Sequence, residues 1–224
     1  MMIGMEPQNT PDKTVGGARV KAWARNESER IEIEARIGQL VGRSIRRVRY
    51  FEISYEGSLE PTWSARDFDS IDYGMELDFD DGATWSVIWK LSGINEALLF
   101  YKGSLVGTEL RDDAARSWDV TDRWATDGPS TISGFELAWM RSSMGPGRNR
   151  QGEIVSGPVA SDLCLQTVVL RGDAGRVAVV TLGQADYPSL KFMPAVDNVA
   201  VFFSLEKARE AGAFLPGDEI PTGG

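Results

Sequence analysis

Carboxylates and tryptophans are the residues of this chain most able to do chemistry, and they gather in one stretch. Asp67, Asp69, Asp72, Glu76, Asp78, Asp80 and Asp81 follow one another with no basic residue between Arg66 and Lys90. Trp63, Trp85, Trp89, Trp118 and Trp124, five of the seven tryptophans, lie in the same region. Residues 60–130 hold 15 acidic and 6 basic residues, so the whole net charge of −9 belongs to them and the flanking parts cancel. Such a patch suits a basic protein partner: acids speed association and choose the partner, and aromatics supply contact energy. The same field repels phosphates and argues against nucleic acid. The sequence therefore nominates Asp67, Asp69, Asp72, Glu76, Asp78, Asp80, Asp81, Trp63, Trp118 and Trp124 as partner-binding residues. Trp85 and Trp89 alternate with polar residues and are assigned to the core.

Other chemistry has fewer means. The chain has no histidine and one cysteine. That removes Ser-His-Asp and Cys-His catalysis, imidazole zinc sites, thiolate zinc and iron–sulfur clusters. Cys164 lies in an apolar run and reads as a buried, reduced thiol. The acidic runs 67–72 and 78–82 lack the glycine and glutamate spacing of a calcium loop. Glu76, Asp78 and Asp80 share one face of a strand, as in a magnesium-dependent nuclease, but no lysine or further ligand can be placed beside them. No metal and no cofactor are expected. Arg43, Arg46, Arg47 and Arg49 form the one basic run, read as solvated charges on a strand edge.

The elements that position these residues are mostly strands. Tyr73–Lys90 reads as a hairpin: Met75, Leu77 and Phe79 alternate with acids, then Ala83, Trp85, Val87 and Trp89 alternate with polar residues. A two-residue turn mixes the faces. A three-residue loop, Asp80-Asp81-Gly82, pairs Leu77 with Trp85 and Met75 with Val87 and makes one face apolar. Gly82 then takes the left-handed position of a type I turn plus bulge. Further strands are expected over 44–56, 97–101, 131–141 and 198–204, and a second hairpin over 163–182 with its turn at 172–175. Both arms of that hairpin are almost wholly apolar, as in a central pair covered on both faces. A helix capped near Asn26 is expected to run to about Leu40, with a strand as the alternative, and a helix over 205–211 follows a Ser204 cap. Residues 59–72, 103–130 and 184–197 read as connections, with a helical turn around 112–118.

The order of elements repeats, which predicts a mainly β (α+β) protein. Two similar antiparallel β-meander halves either join in one continuous sheet or pack as a sandwich, with short peripheral helices. The expected divisions are a disordered segment 1–25, a first half 26–110, a second half 111–212 and a flexible tail 213–224. No apolar run is long enough for a membrane helix and no secretory signal is visible, so a cytoplasmic protein without membrane contact is expected. With 18 arginines against 6 lysines, the base usage points to a GC-rich bacterial genome. The function expected from these properties is a non-enzymatic protein-binding module, of the type of a bacterial immunity protein or antitoxin that neutralises a basic toxin. The alternatives are a carboxylate-based hydrolase, metal-dependent or glycosidase-like, and a structural or assembly subunit.

Overall fold

The hairpin forms in the register that its alternation selects. Met75 stands opposite Val87 and Leu77 opposite Trp85. The Phe79 N–H donates to the Ala83 carbonyl at 2.9 Å, which closes the three-residue loop. Gly82 has φ +80°, a conformation that a side chain disfavours.

The computed structural model describes residues 14–15, 18–19, 21–53, 61–92, 95–106, 115–144, 149–154 and 160–214. The strands are β1 (Thr14–Val15), β2 (Ala18–Arg19), β3 (Trp23–Ala24), β4 (Ile45–Ile53), β5 (Asp69–Ile71), β6 (Gly74–Phe79), β7 (Thr84–Ser92), β8 (Asn95–Lys102), β9 (Ala115–Asp119), β10 (Ile132–Met144), β11 (Ala160–Gly172), β12 (Val177–Asp186) and β13 (Lys191–Phe202). The helices are α1 (Glu27–Gly38), α2 (Thr121–Asp127) and α3 (Leu205–Ala211). Both expected caps are present. The Asn26 side chain accepts from Glu29 N at 3.0 Å, and Ser204 Oγ accepts from Lys207 N at 3.3 Å.

Two antiparallel sheets share one plan. One has the order β8-β7-β6-β4-β9 and the other β10-β11-β12-β13-β5, with β3 paired beside β11. Each is a four-strand meander extended by one borrowed strand. Their facing sides merge in a single cluster: Val48, Tyr50, Leu77, Trp85 and Phe100 meet Leu137, Trp139, Val168, Val180 and Val201. This is the sandwich alternative of the predicted fold class. The central pair β11 and β12 is covered on both faces. Val168 and Val180 point between the sheets, while Val169 and Val179 pack with Phe202 and Ala208 under α3. Cys164 is buried, and burial pushes its thiol up to about 11, so it stays protonated.

Several connections differ from the sequence expectation. Trp23–Ala24, within the segment expected to lack order, pairs with Cys164 and Leu163 of β11, and Ala24 is fully buried. Asp69–Ile71, expected in a loop, is a strand paired with β13. The helical turn expected around 112–118 is absent over Ala115–Asp119, which is strand β9, and residues 112–114 lie outside the described ones. Arg116 and Trp118 turn inward while Ser117 and Asp119 face water, a period of two that satisfies the open side of β4. Residues 184–197 are mostly strand. Pro194 sits opposite Gly183 beside a register shift, one of the few places in a ladder that tolerates a missing N–H.

The broken alternation of β4 has a local cause. Ile45 pairs with Phe79 and Arg47 with Asp78, so Arg46 is an extra residue in a β-bulge.

Candidate functional site

Asp69 is the centre of a buried polar cluster. It is fully buried on β5. Tyr50, pointing inward from β4, donates its hydroxyl to Asp69 Oδ2 at 2.9 Å. Trp124 of α2 donates its indole N–H to Tyr50 Oη at 2.9 Å. Arg123, also on α2, closes a two-point contact, Nε to Oδ2 at 2.8 Å and Nη2 to Oδ1 at 2.7 Å. The guanidinium lies 5.8 Å from the centre of the Trp63 ring and 5.4 Å from that of Phe203. Trp63 in turn meets Tyr50 edge to face, with ring centres 5.4 Å apart. Burial pushes the Asp69 carboxyl up, against the pull of Arg123, and the Tyr50 hydroxyl is pushed well above its usual range.

A second carboxylate group adjoins the first through Thr62 and Trp63. Glu52, buried on β4, accepts from Thr62 Oγ1 at 2.6 Å, from Thr62 N at 3.2 Å and from Trp118 Nε1 at 2.7 Å. Asp72 accepts from Ile53 N at 2.9 Å. Partial burial, and then the nearby Glu52 charge, push the Asp72 carboxyl up to about 6. Neither acid has an arginine or lysine partner among the described residues, whereas Asp69 and Glu76 each have one. Beside them, the β12–β13 turn carries Tyr187, 63% exposed, whose hydroxyl donates to the Thr62 carbonyl at 3.1 Å, and Leu190, 36% exposed with φ +55°.

The raised Asp72 value has a testable consequence. Its ordinary value is 3.8, so the fold favours the neutral form, and stability falls as pH rises from about 4 through about 6. Because Asp72 keeps contact with water, the full shift is discounted to about 1 kcal/mol. Asp72→Asn, which keeps an acceptor for Ile53 N, is expected to raise the unfolding free energy by that amount at pH 8 and by nothing at pH 4. Denaturant titrations at the two pH values measure it, and an equal effect at both would remove the burial account.

The ten nominated residues do not form one surface. Trp63, Trp118 and Trp124 do converge, with Asp69 and Asp72, on the corner where β4, β5, β9 and α2 meet. Trp124 is buried there, so its contacts are internal, and Trp63 and Trp118 are half-buried. Glu76 and Asp78 leave the proposed acidic face: both are buried on the outer side of the first sheet. Glu76 meets Arg49 Nη2 at 2.5 Å and accepts from Ser104 Oγ at 2.7 Å and Leu105 N at 2.6 Å. Asp78 accepts from Thr84 Oγ1 at 2.6 Å and meets Arg49 at 3.4 Å. A carboxylate between backbone strands needs a cation or donors, and Arg49 on β4 supplies them. Asp80 and Asp81 stay exposed on the hairpin loop, where Asp81 pairs with Arg43. Asp67 is exposed and bridges to Lys207 of α3 at 2.6 Å.

Sequence reasoning missed Tyr50, Glu52, Thr62, Arg123 and Tyr187. Tyr50 and Glu52 share a face of a strand that did name itself, and an acid on the inward face was the available signal. Arg123 and Tyr187 sit in segments read as connections and gave none. Among the described residues no helix is long and apolar enough to cross a membrane. No protein-family model, no curated protein and no solved structure matches the chain.

Proposed function

We propose that the protein is a non-enzymatic protein-binding module that takes a basic partner at the corner of Glu52, Asp72, Trp63, Trp118 and Tyr187, in the manner of a bacterial immunity protein or antitoxin. The observation that carries this reading is a pair of carboxylates with no basic partner among the described residues, set against aromatic rings that remain partly exposed. Trp and Tyr are the residues that most often supply binding energy at interfaces, and an electronegative surround selects a cationic partner. The net charge of −9 favours the same encounter at long range. Arg123 and its buried network hold Trp63 in place before any partner arrives, which lowers the ordering cost of association.

The test is capture of the partner from the native organism at low salt, with elution by a salt gradient, followed by affinity measurement on variants. Tyr187→Ala is expected to weaken binding by about tenfold or more without loss of fold. Asp80→Asn with Asp81→Asn is expected to change the association rate and its salt dependence only. An unchanged affinity in Tyr187→Ala, with the fold intact, rejects this corner as the interface.

A carboxylate-based hydrolase is the second reading, favoured by one observation. Asp72, its carboxyl pushed up to about 6 by burial, stands next to the Glu52 carboxylate, the pairing of a general acid with a second carboxyl group seen in glycoside hydrolysis. Turnover of a glycoside that is abolished in Glu52→Gln would favour it over the binding module.

A further inference from the structure

The bulge in β4 creates a feature that the binding corner does not use. An open depression of about 560 Å³ is lined by Arg46, Arg47, Asp119, Thr121 and Asp122. Neighbouring residues of a regular strand point to opposite faces, but the extra residue at the bulge lets Arg46 and Arg47 line the same hollow. Three of the five lining residues satisfy one another. Arg47 Nε donates to Asp119 Oδ2 at 2.9 Å, and Asp119 Oδ1 accepts from Thr121 Oγ1 at 2.6 Å and Thr121 N at 3.1 Å. The Thr121 hydroxyl oxygen also accepts from Val48 N at 3.0 Å, which ties the floor to β4. These bonds, the Thr121 hydroxyl first among them, hold the Asp119 carboxyl below its usual range.

Two opposite charges remain over. The Arg46 guanidinium and the Asp122 carboxylate are exposed, belong to the same hollow and have no ion-pair partner among the described residues, including each other. A simple anion meets Arg46 but is repelled by Asp122, and a simple cation meets the reverse. A ligand carrying both signs satisfies both. We propose that this depression binds a small zwitterion, with its carboxylate on Arg46 and its ammonium on Asp122. The hollow is open and mostly polar, so a ligand there keeps much of its surface in water. Two exposed ion pairs of at most about 1 kcal/mol each, or about fivefold, give weak affinity, in the range of tens of millimolar. The site is independent of the Tyr187 corner, and either can fail alone.

The test is an amide-resolved NMR titration of the whole chain. The probes are L-alanine, 4-aminobutyrate with its longer charge separation, acetate and ethylammonium. One of the two zwitterions is expected to shift the amides of Arg46, Arg47, Thr121 and Asp122 saturably, while acetate and ethylammonium do not. Arg46→Ala and Asp122→Ala are each expected to weaken that binding by about fivefold, the upper end for one exposed pair. Both are surface changes, and unchanged shifts elsewhere in the spectrum confirm the fold. Saturation by acetate alone would make this an anion site and overturn the proposal. So would binding that survives either substitution, or saturation by neither zwitterion.

Discussion

Arg123→Ala is expected to lower the unfolding free energy by about 3–5 kcal/mol, because it leaves a carboxylate buried without its cation. Asp69 is fully buried, and among the described residues Arg123 is the only base bound to it. The Tyr50 hydroxyl remains as a donor but carries no charge. The cost depends on pH in a definite direction. Burial already pushes the Asp69 carboxyl up, and loss of the guanidinium pushes it further, so the variant favours the neutral acid. Its deficit is therefore smallest in acid and grows as pH rises. Asp69→Asn combined with Arg123→Met removes both charges and is expected to recover most of the loss. Denaturant unfolding of the two single variants and the double one at pH 5 and pH 8 measures the coupling. A loss below about 1 kcal/mol in Arg123→Ala at pH 8 would show that water reaches Asp69 and that the network is not buried as described.

Arg49→Ala is the second large effect, about 3 kcal/mol, through the same physics on the other face of the first sheet. Glu76 is fully buried and Asp78 nearly so, and one guanidinium serves both. Arg49 also lies 5.8 Å from the centre of the Phe51 ring, so its truncation uncovers apolar surface as well. Glu76→Gln is the milder companion. It keeps an acceptor for Ser104 Oγ and Leu105 N, and is expected to cost about 1–2 kcal/mol. Thermal unfolding followed by circular dichroism separates the two. Equal losses would show that the Arg49 cost is not that of a carboxylate left buried without its cation. Asp69 and Glu76 both belonged to the predicted partner surface. In this fold their substitution reads out in stability first, so a binding assay on either needs a folded-state control.

The exposed pairs behave differently. Asp67 with Lys207 and Asp81 with Arg43 join side chains that remain in contact with water. Such pairs contribute little to stability. Their acids keep the surface negative, which bears on the rate of meeting a basic partner rather than on the fold.

What could be read from the chain was local. The hairpin 73–90 announced its register because a shift of one residue mixes Trp85 and Val87 with acids, and side-chain period alone decides that. The caps at Asn26 and Ser204 were legible because a helix start needs an acceptor within three residues. The paired arms of β11 and β12 were legible as central strands because every second position on both faces is apolar. Each of these signals is carried by residues within about twenty positions of one another.

What the chain alone did not determine was which acids face water. Asp69, Asp72, Glu76 and Asp80 look alike in sequence. Asp69 became a buried partner of Arg123 because β5 left its own half to pair with β13 and α2 folded back over β4. Glu76 became buried because Arg49, 27 positions away on a strand with a bulge, could reach it. Composition and periodicity determined a two-meander β protein with a negative surface. Tertiary structure decided where its charges are neutralised, because the burial and pairing that set a carboxylate's role are properties of contacts made across the whole chain.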